Sequence, residues 1–77
     1  MFKVGLICAG DEELAPFLPH VENRIETEKA MLTFYEGSIG GLPVVVLYSG
    51  VCKVNAAIAA QILIDTYCVD MIISAGV

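Results

Sequence analysis

At 77 residues the chain has the size of one small domain, with 57% hydrophobic residues, 17% charged residues and a formal net charge of −5 at pH 7. Four basic residues against nine acidic ones argue against a nucleic-acid or anionic-membrane partner, and the apolar content excludes disorder. A domain this small exposes proportionally more surface and ordinarily needs more polar residues, so the composition predicts one end of a larger α/β domain.

Lys3 to Ala9 is a near-continuous apolar run ended by Gly10, the pattern of a strand buried on both faces of a helix-covered parallel sheet. The run is too short, and too abruptly followed by Asp11-Glu12-Glu13, for a signal peptide. That acidic triplet predicts a helix start running to about Leu18, because carboxylates complement the positive end of a helix dipole. Pro16 is tolerable in a first turn, and Pro19 limits the far end. The polar stretch Glu22 to Glu28 reads as a surface connection. Ala30–Ser38 and Leu42–Tyr48 are strand-like runs joined by Gly40-Gly41, a hairpin signal, with Phe34, Tyr35 and Tyr48 expected to pack in it.

From Val51 to about Tyr67 the pattern becomes helical. Val54, Ile58, Ile62 and Asp65 fall on one side, and further apolar residues broaden the expected buried face. Val69 to Val77 is a second buried-strand run. No uncharged stretch reaches the roughly 20 apolar residues of a membrane span. The predicted order is β-α-β-β-α-β, an α/β fold with a mixed central sheet flanked by helices.

Gly5 and Gly10 have the spacing of a phosphate-binding loop, but Asp11 and Glu12 stand where Lys and Ser/Thr are required and would repel phosphate. The dinucleotide fingerprint is absent. A receiver domain needs a phosphoacceptor Asp ending a later strand, and neither Ser49-Gly50 nor Ala75-Gly76 supplies one. Cys8, Cys52 and Cys68 lack paired spacing and read as buried thiols in a reducing cytoplasm. His20 reads as an exposed loop residue without the partners of a zinc site, and Lys53 as a solvated side chain. Ala9–Glu13, Ser49–Lys53 and Ser74–Val77 all follow strands, so a parallel arrangement brings them to one sheet edge and predicts a pocket there.

The segments K-V-G-L-I-C-A-G-D-E-E (3–13), the Gly-Gly hairpin, S-G-V-C-K-V-N-A-A (49–57) and D-M-I-I-S-A-G-V (70–77) resemble the amino-terminal third of the 5′-methylthioadenosine/S-adenosylhomocysteine nucleosidases of the nucleoside phosphorylase superfamily. The resemblance implies a homodimeric cytoplasmic hydrolase of the purine–ribose N-glycosidic bond that acts on a small purine nucleoside without cofactor or metal. It places Glu13 on the carboxylate that positions the attacking water. Val51 falls on the branched residue lining the 5′-alkylthio pocket, Ala9 and Val77 beside the water and the 5′ side, and Gly10 near the ribose. Departures from the family pattern are Gly10 for a frequent Met, Cys52 for a frequent Gly, and Val77 without a hydroxyl; they keep the futalosine-type hydrolases as an alternative. The family's base-stacking aromatic, its ribose-gripping Met-Glu pair and the Asp that protonates the purine lie in the carboxyl-terminal part, so this chain alone is expected to be inactive. A non-enzymatic half-domain that binds a partner across its open sheet is the competing expectation.

Overall fold

The computed structural model describes residues 2–10, 15–49 and 53–75. The near-continuous apolar run of β1 (Val4–Cys8) is explained by parallel strands on both sides of it: β4 (Leu42–Tyr48) on one and β5 (Met71–Ala75) on the other. β2 (Glu22–Lys29) and β3 (Leu32–Ile39) extend the sheet antiparallel from β4, so the spatial order is β2-β3-β4-β1-β5. This is the mixed α/β sheet expected, with one more strand than the sequence pattern indicated. Among the described residues one α-helix, α1 (Lys53–Asp65), carries the chain from β4 over β1 to β5.

The extra strand, β2, is the stretch read as a surface connection. Every one of its residues except Thr27 is exposed, so no alternation betrays it. Backbone pairing with β3 holds it in place, from Lys29↔Leu32 to Glu22↔Ser38, with a register shift between Glu22 and Ile25. The helix expected over Asp11–Leu18 also needs correction. Asp11–Leu14 lie outside the described residues, Ala15–Phe17 form a turn, and Leu18–His20 form a 3-10 helix. Its closing bonds run from the His20 N–H to the Phe17 carbonyl (3.0 Å) and from the Val21 N–H to the Leu18 carbonyl (3.1 Å). Pro16 and Pro19, three residues apart, remove two of the donors a continuing α-helix would require.

The two hairpins turn in the same way with different chemistry. Gly40 (φ 57°) and Gly41 (φ 84°) meet the left-handed requirement of a two-residue turn without a Cβ penalty. Ala30 (φ 52°) and Met31 (φ 65°) make the β2–β3 turn in the same region with side chains that disfavour it.

The sheet's two faces are unequally covered. On one, α1 seals a core of Ile7, Leu32, Phe34, Val45, Leu47, Ala59, Leu63 and Tyr67, with Phe34 stacked on Tyr67 at 5.4 Å between ring centres. Gly5 admits the helix: a Cβ there would lie 2.9 Å from Leu63 Cδ1. Of the stripe expected to be buried, Ile58 and Asp65 are exposed, Ile62 packs against this core, and the Val54 side chain lies outside the described residues. Ala59 and Leu63 are fully buried, whereas Ile58 and Ile64 are 40% and 53% exposed. A helix apolar nearly all round has no phase in its sequence, and the missing side chain at Gly5 selects one. α1 ends with the Val69 N–H donating to the Leu63 carbonyl (3.2 Å) around Cys68, which holds the left-handed position at φ 55°.

The opposite face carries Val4, Cys8, Val21, Val44 and Val46, partly covered by Phe17, Leu18 and Tyr35. The remaining aromatic and cysteine expectations divide. Phe34 packs under the helix, Tyr35 lies beneath the Arg24 guanidinium at 5.9 Å, and Tyr48 is 42% exposed rather than packed in the hairpin. Cys8 is buried as expected and Cys68 is exposed, because the αL position that ends α1 faces solvent; Cys52 lies outside the described residues. His20 is exposed.

Candidate functional site

Parallel pairing is what assembles the site. Because β4, β1 and β5 run the same way, their carboxyl ends are level, with Cys8 opposite both Tyr48 and Ala75. Two backbone bonds continue the ladders past the strands: the Ser49 N–H donates to the Cys8 carbonyl (2.8 Å), and the Ala9 N–H donates to the Ala75 carbonyl (3.2 Å). Ala9 and Gly10, both half-buried, thus leave the sheet between the exits of β4 and β5. The exits of the three strands from which the predicted loops leave lie side by side at this edge; most residues of those loops lie outside the described residues. α1 begins at Lys53, four residues after Ser49.

Of the five residues singled out from sequence, Ala9 and Gly10 are placed at this edge. Glu13, Val51 and Val77 lie outside the described residues; each follows one of the three strand ends closely in sequence, three past Gly10, two past Ser49 and two past Ala75. Ser49, which opens the Ser49–Lys53 segment predicted to follow a strand, is the buried polar residue of this edge among the described residues, 5% exposed. A serine between a buried strand and a glycine was the available signal. What the edge offers chemically is a set of oriented backbone groups at the exits of three parallel strands, the kind of place where α/β folds bind ligands.

Among the described residues the charged contacts lie elsewhere. Lys3, before β1, makes two hydrogen bonds with Asp70 (its N–H donates to the side-chain Asp70 Oδ2, and the Asp70 N–H donates to the Lys3 carbonyl, both 2.8 Å), and its Nζ pairs with Glu36 at 3.2 Å. These contacts pin the amino ends of β1 and β5, away from the candidate edge. Among the described residues no group of three or more His, Cys, Asp or Glu side chains comes together to hold a metal, and no helix is long and apolar enough to cross a membrane.

The family model described as the phosphorylase superfamily matches residues 3–77. The chain belongs to the phosphorylase superfamily. A 5′-methylthioadenosine/S-adenosylhomocysteine nucleosidase from an Exiguobacterium strain is 45% identical over 74 residues, which are 96% of this chain and 32% of that protein. The crystal structure of such a nucleosidase from Colwellia psychrerythraea, in complex with adenine, superposes with a TM-score of 0.93 at 39% identity, covering 97% of this chain and 31% of that one. A futalosine hydrolase from Helicobacter pylori shares the fold, with a TM-score of 0.89 at 23% identity over 100% of this chain and 35% of that one. The chain therefore spans about a third of the length of the relatives it matches. The resemblance read from the residues holds for the fold and the superfamily, and the higher identities fall on the nucleosidase side of the two alternatives.

Proposed function

We propose that these 77 residues are the amino-terminal part of a single nucleosidase-type α/β domain, and that the whole protein hydrolyses the N-glycosidic bond of 5′-methylthioadenosine and S-adenosylhomocysteine, releasing adenine. The observation that carries the reading is the level meeting of the β1, β4 and β5 exits, stitched by the Ser49–Cys8 and Ala9–Ala75 bonds. The nucleosidase relatives, at 45% and 39% identity, add to it.

In this reading the glycosidic bond breaks toward an oxocarbenium-like ribosyl centre, which a water then attacks. Glu13 accepts a hydrogen bond from that water, takes up its proton as the C–O bond forms, and favours the positive charge nearby. Ala9 and Gly10 leave room for the water and the ribose because neither carries a side chain beyond Cβ. Val51 and Val77 supply apolar surface to the 5′ substituent. The purine departs readily only if a general acid protonates it, and that group belongs to the remainder of the protein. The enzyme acts as a cytoplasmic homodimer in the salvage of methionine; the exposed Ile58 and Ile64 on the outer side of α1 suit an interface that removes them from water.

The complete gene product is the material for the test. It is expected to release adenine from 5′-methylthioadenosine at a rate independent of phosphate. No release, or release only when phosphate is present, overturns the reading. The 77-residue chain alone is expected to release none, and turnover by it would refute the assignment of the general acid to the remainder.

A further inference from the structure

The segment that follows β1 leaves the sheet at Ala9 and Gly10 and returns at Phe17 and Leu18, which are half-buried against the same cluster that holds Cys8, the last residue of β1. Its return is fastened from β2. Between the pairs Glu22↔Ser38 and Ile25↔Glu36, β2 has two residues, Asn23 and Arg24, where β3 has only Gly37. This is a bulge, with Asn23 at φ 56°, and a bulge re-aims the side chains beside it. Gly37 gives it room: a Cβ there would lie 2.5 Å from the Glu22 carbonyl oxygen and 2.6 Å from Val21 Cγ1. Arg24 reaches the sheet face on which Phe17, Leu18 and Tyr35 pack. Its Nη1 donates to the Leu18 carbonyl at 3.2 Å, and its guanidinium stands 5.9 Å from the centre of the Tyr35 ring. The same carbonyl accepts the Val21 N–H that closes the 3-10 turn, so one side chain holds both the turn and the ring beside it. A planar cation with several donors suits that double contact.

We infer that Arg24 is a positioning residue for the proposed reaction. By holding Leu18 against the sheet it fixes the far end of a segment whose near end, Ala9, is bonded to the exit of β5. The inference rests on the reading of Glu13 as the carboxylate that takes up the water's proton. In sequence Glu13 stands three residues after Gly10 and five before Leu18, so freeing either end widens the positions open to its carboxylate. Catalysis is sensitive to that: a misplacement of about 1 Å can lower a rate by up to roughly 100-fold. Arg24 acts through the Leu18 carbonyl and the chain, without taking part in the chemistry.

Steady-state kinetics of the complete gene product with 5′-methylthioadenosine tests this. Arg24→Gln is expected to lower kcat for adenine release about tenfold with KM within about twofold. Because Arg24 is exposed, the urea midpoint is expected to stay where it was. Arg24→Lys keeps a donor and a charge and is expected to remain within about threefold of the unaltered protein. In a Glu13→Gln background, Arg24→Gln is expected to cost less than about twofold, since its effect passes through Glu13. Hydrogen exchange on the same samples is expected to run about tenfold faster at the His20 and Val21 amides of Arg24→Gln. Unchanged exchange there, a kcat loss matched by a lowered midpoint, or the same tenfold loss without Glu13 overturns the inference. No adenine release by the unaltered protein overturns the nucleosidase reading and this inference together, whereas release that Arg24→Gln leaves unchanged overturns this inference alone.

Discussion

The β2–β3 turn offers a perturbation whose sign follows from the backbone alone. Ala30 and Met31 sit at φ 52° and 65°, and the left-handed region costs a residue with a Cβ about 1–2 kcal/mol relative to glycine. Met31 is 94% exposed, so replacing it removes almost no packing. Met31→Gly therefore relieves about 1–2 kcal/mol of strain, while the added freedom of the unfolded chain costs about 0.4–1 kcal/mol. The net expectation is a gain of about 0.5–1 kcal/mol, and Ala30→Asn adds a few tenths because Asn tolerates this region. The other hairpin supplies the mirror experiment: Gly41→Ala, at φ 84° with nothing within 4 Å of the new Cβ, imposes the same strain and is expected to lose about 0.5–1 kcal/mol. Urea unfolding of the complete gene product and of its Met31→Gly and Gly41→Ala variants reads the midpoints at constant slope. Opposite shifts support the argument. A midpoint that falls or stays put in Met31→Gly refutes it, since the tip would then owe its conformation to something other than an endured backbone strain.

Gly5→Ala drives a methyl to 2.9 Å from Leu63 Cδ1 in a fully buried contact, so it is expected to destabilise by about 1–3 kcal/mol. A double-mutant cycle with Leu63→Ala should show strong coupling, and additive losses would contradict this account of helix docking. Glu13→Gln in the complete gene product is expected to lower kcat for adenine release by about 10²–10⁴-fold with an unchanged unfolding midpoint. A parallel loss of stability would instead assign Glu13 a structural role.

β1, β3, β4 and β5 could be read in the chain because each buries at least part of a face, and burial writes itself into residue type. The Gly40-Gly41 turn was equally plain, since its φ values leave few other choices. The same logic made the exits of three strands a candidate edge before any coordinates, with Ala9 and Gly10 found there. β2 escaped notice because a strand exposed on both faces owes its existence to hydrogen bonds with β3, and backbone pairing leaves no imprint on side-chain pattern. The short segment after β1 looked like an α-helix from its acidic opening, yet its described part is a turn and a 3-10 helix, because two prolines cap what dipole complementarity can achieve. The docking face of α1 was undetermined for the reverse reason: an almost uniformly apolar helix can lie on any side, and the sheet position that receives Leu63 is a glycine some sixty residues earlier, whose bare backbone leaves the room. Local preference is encoded residue by residue, but contacts between distant segments are settled by shape.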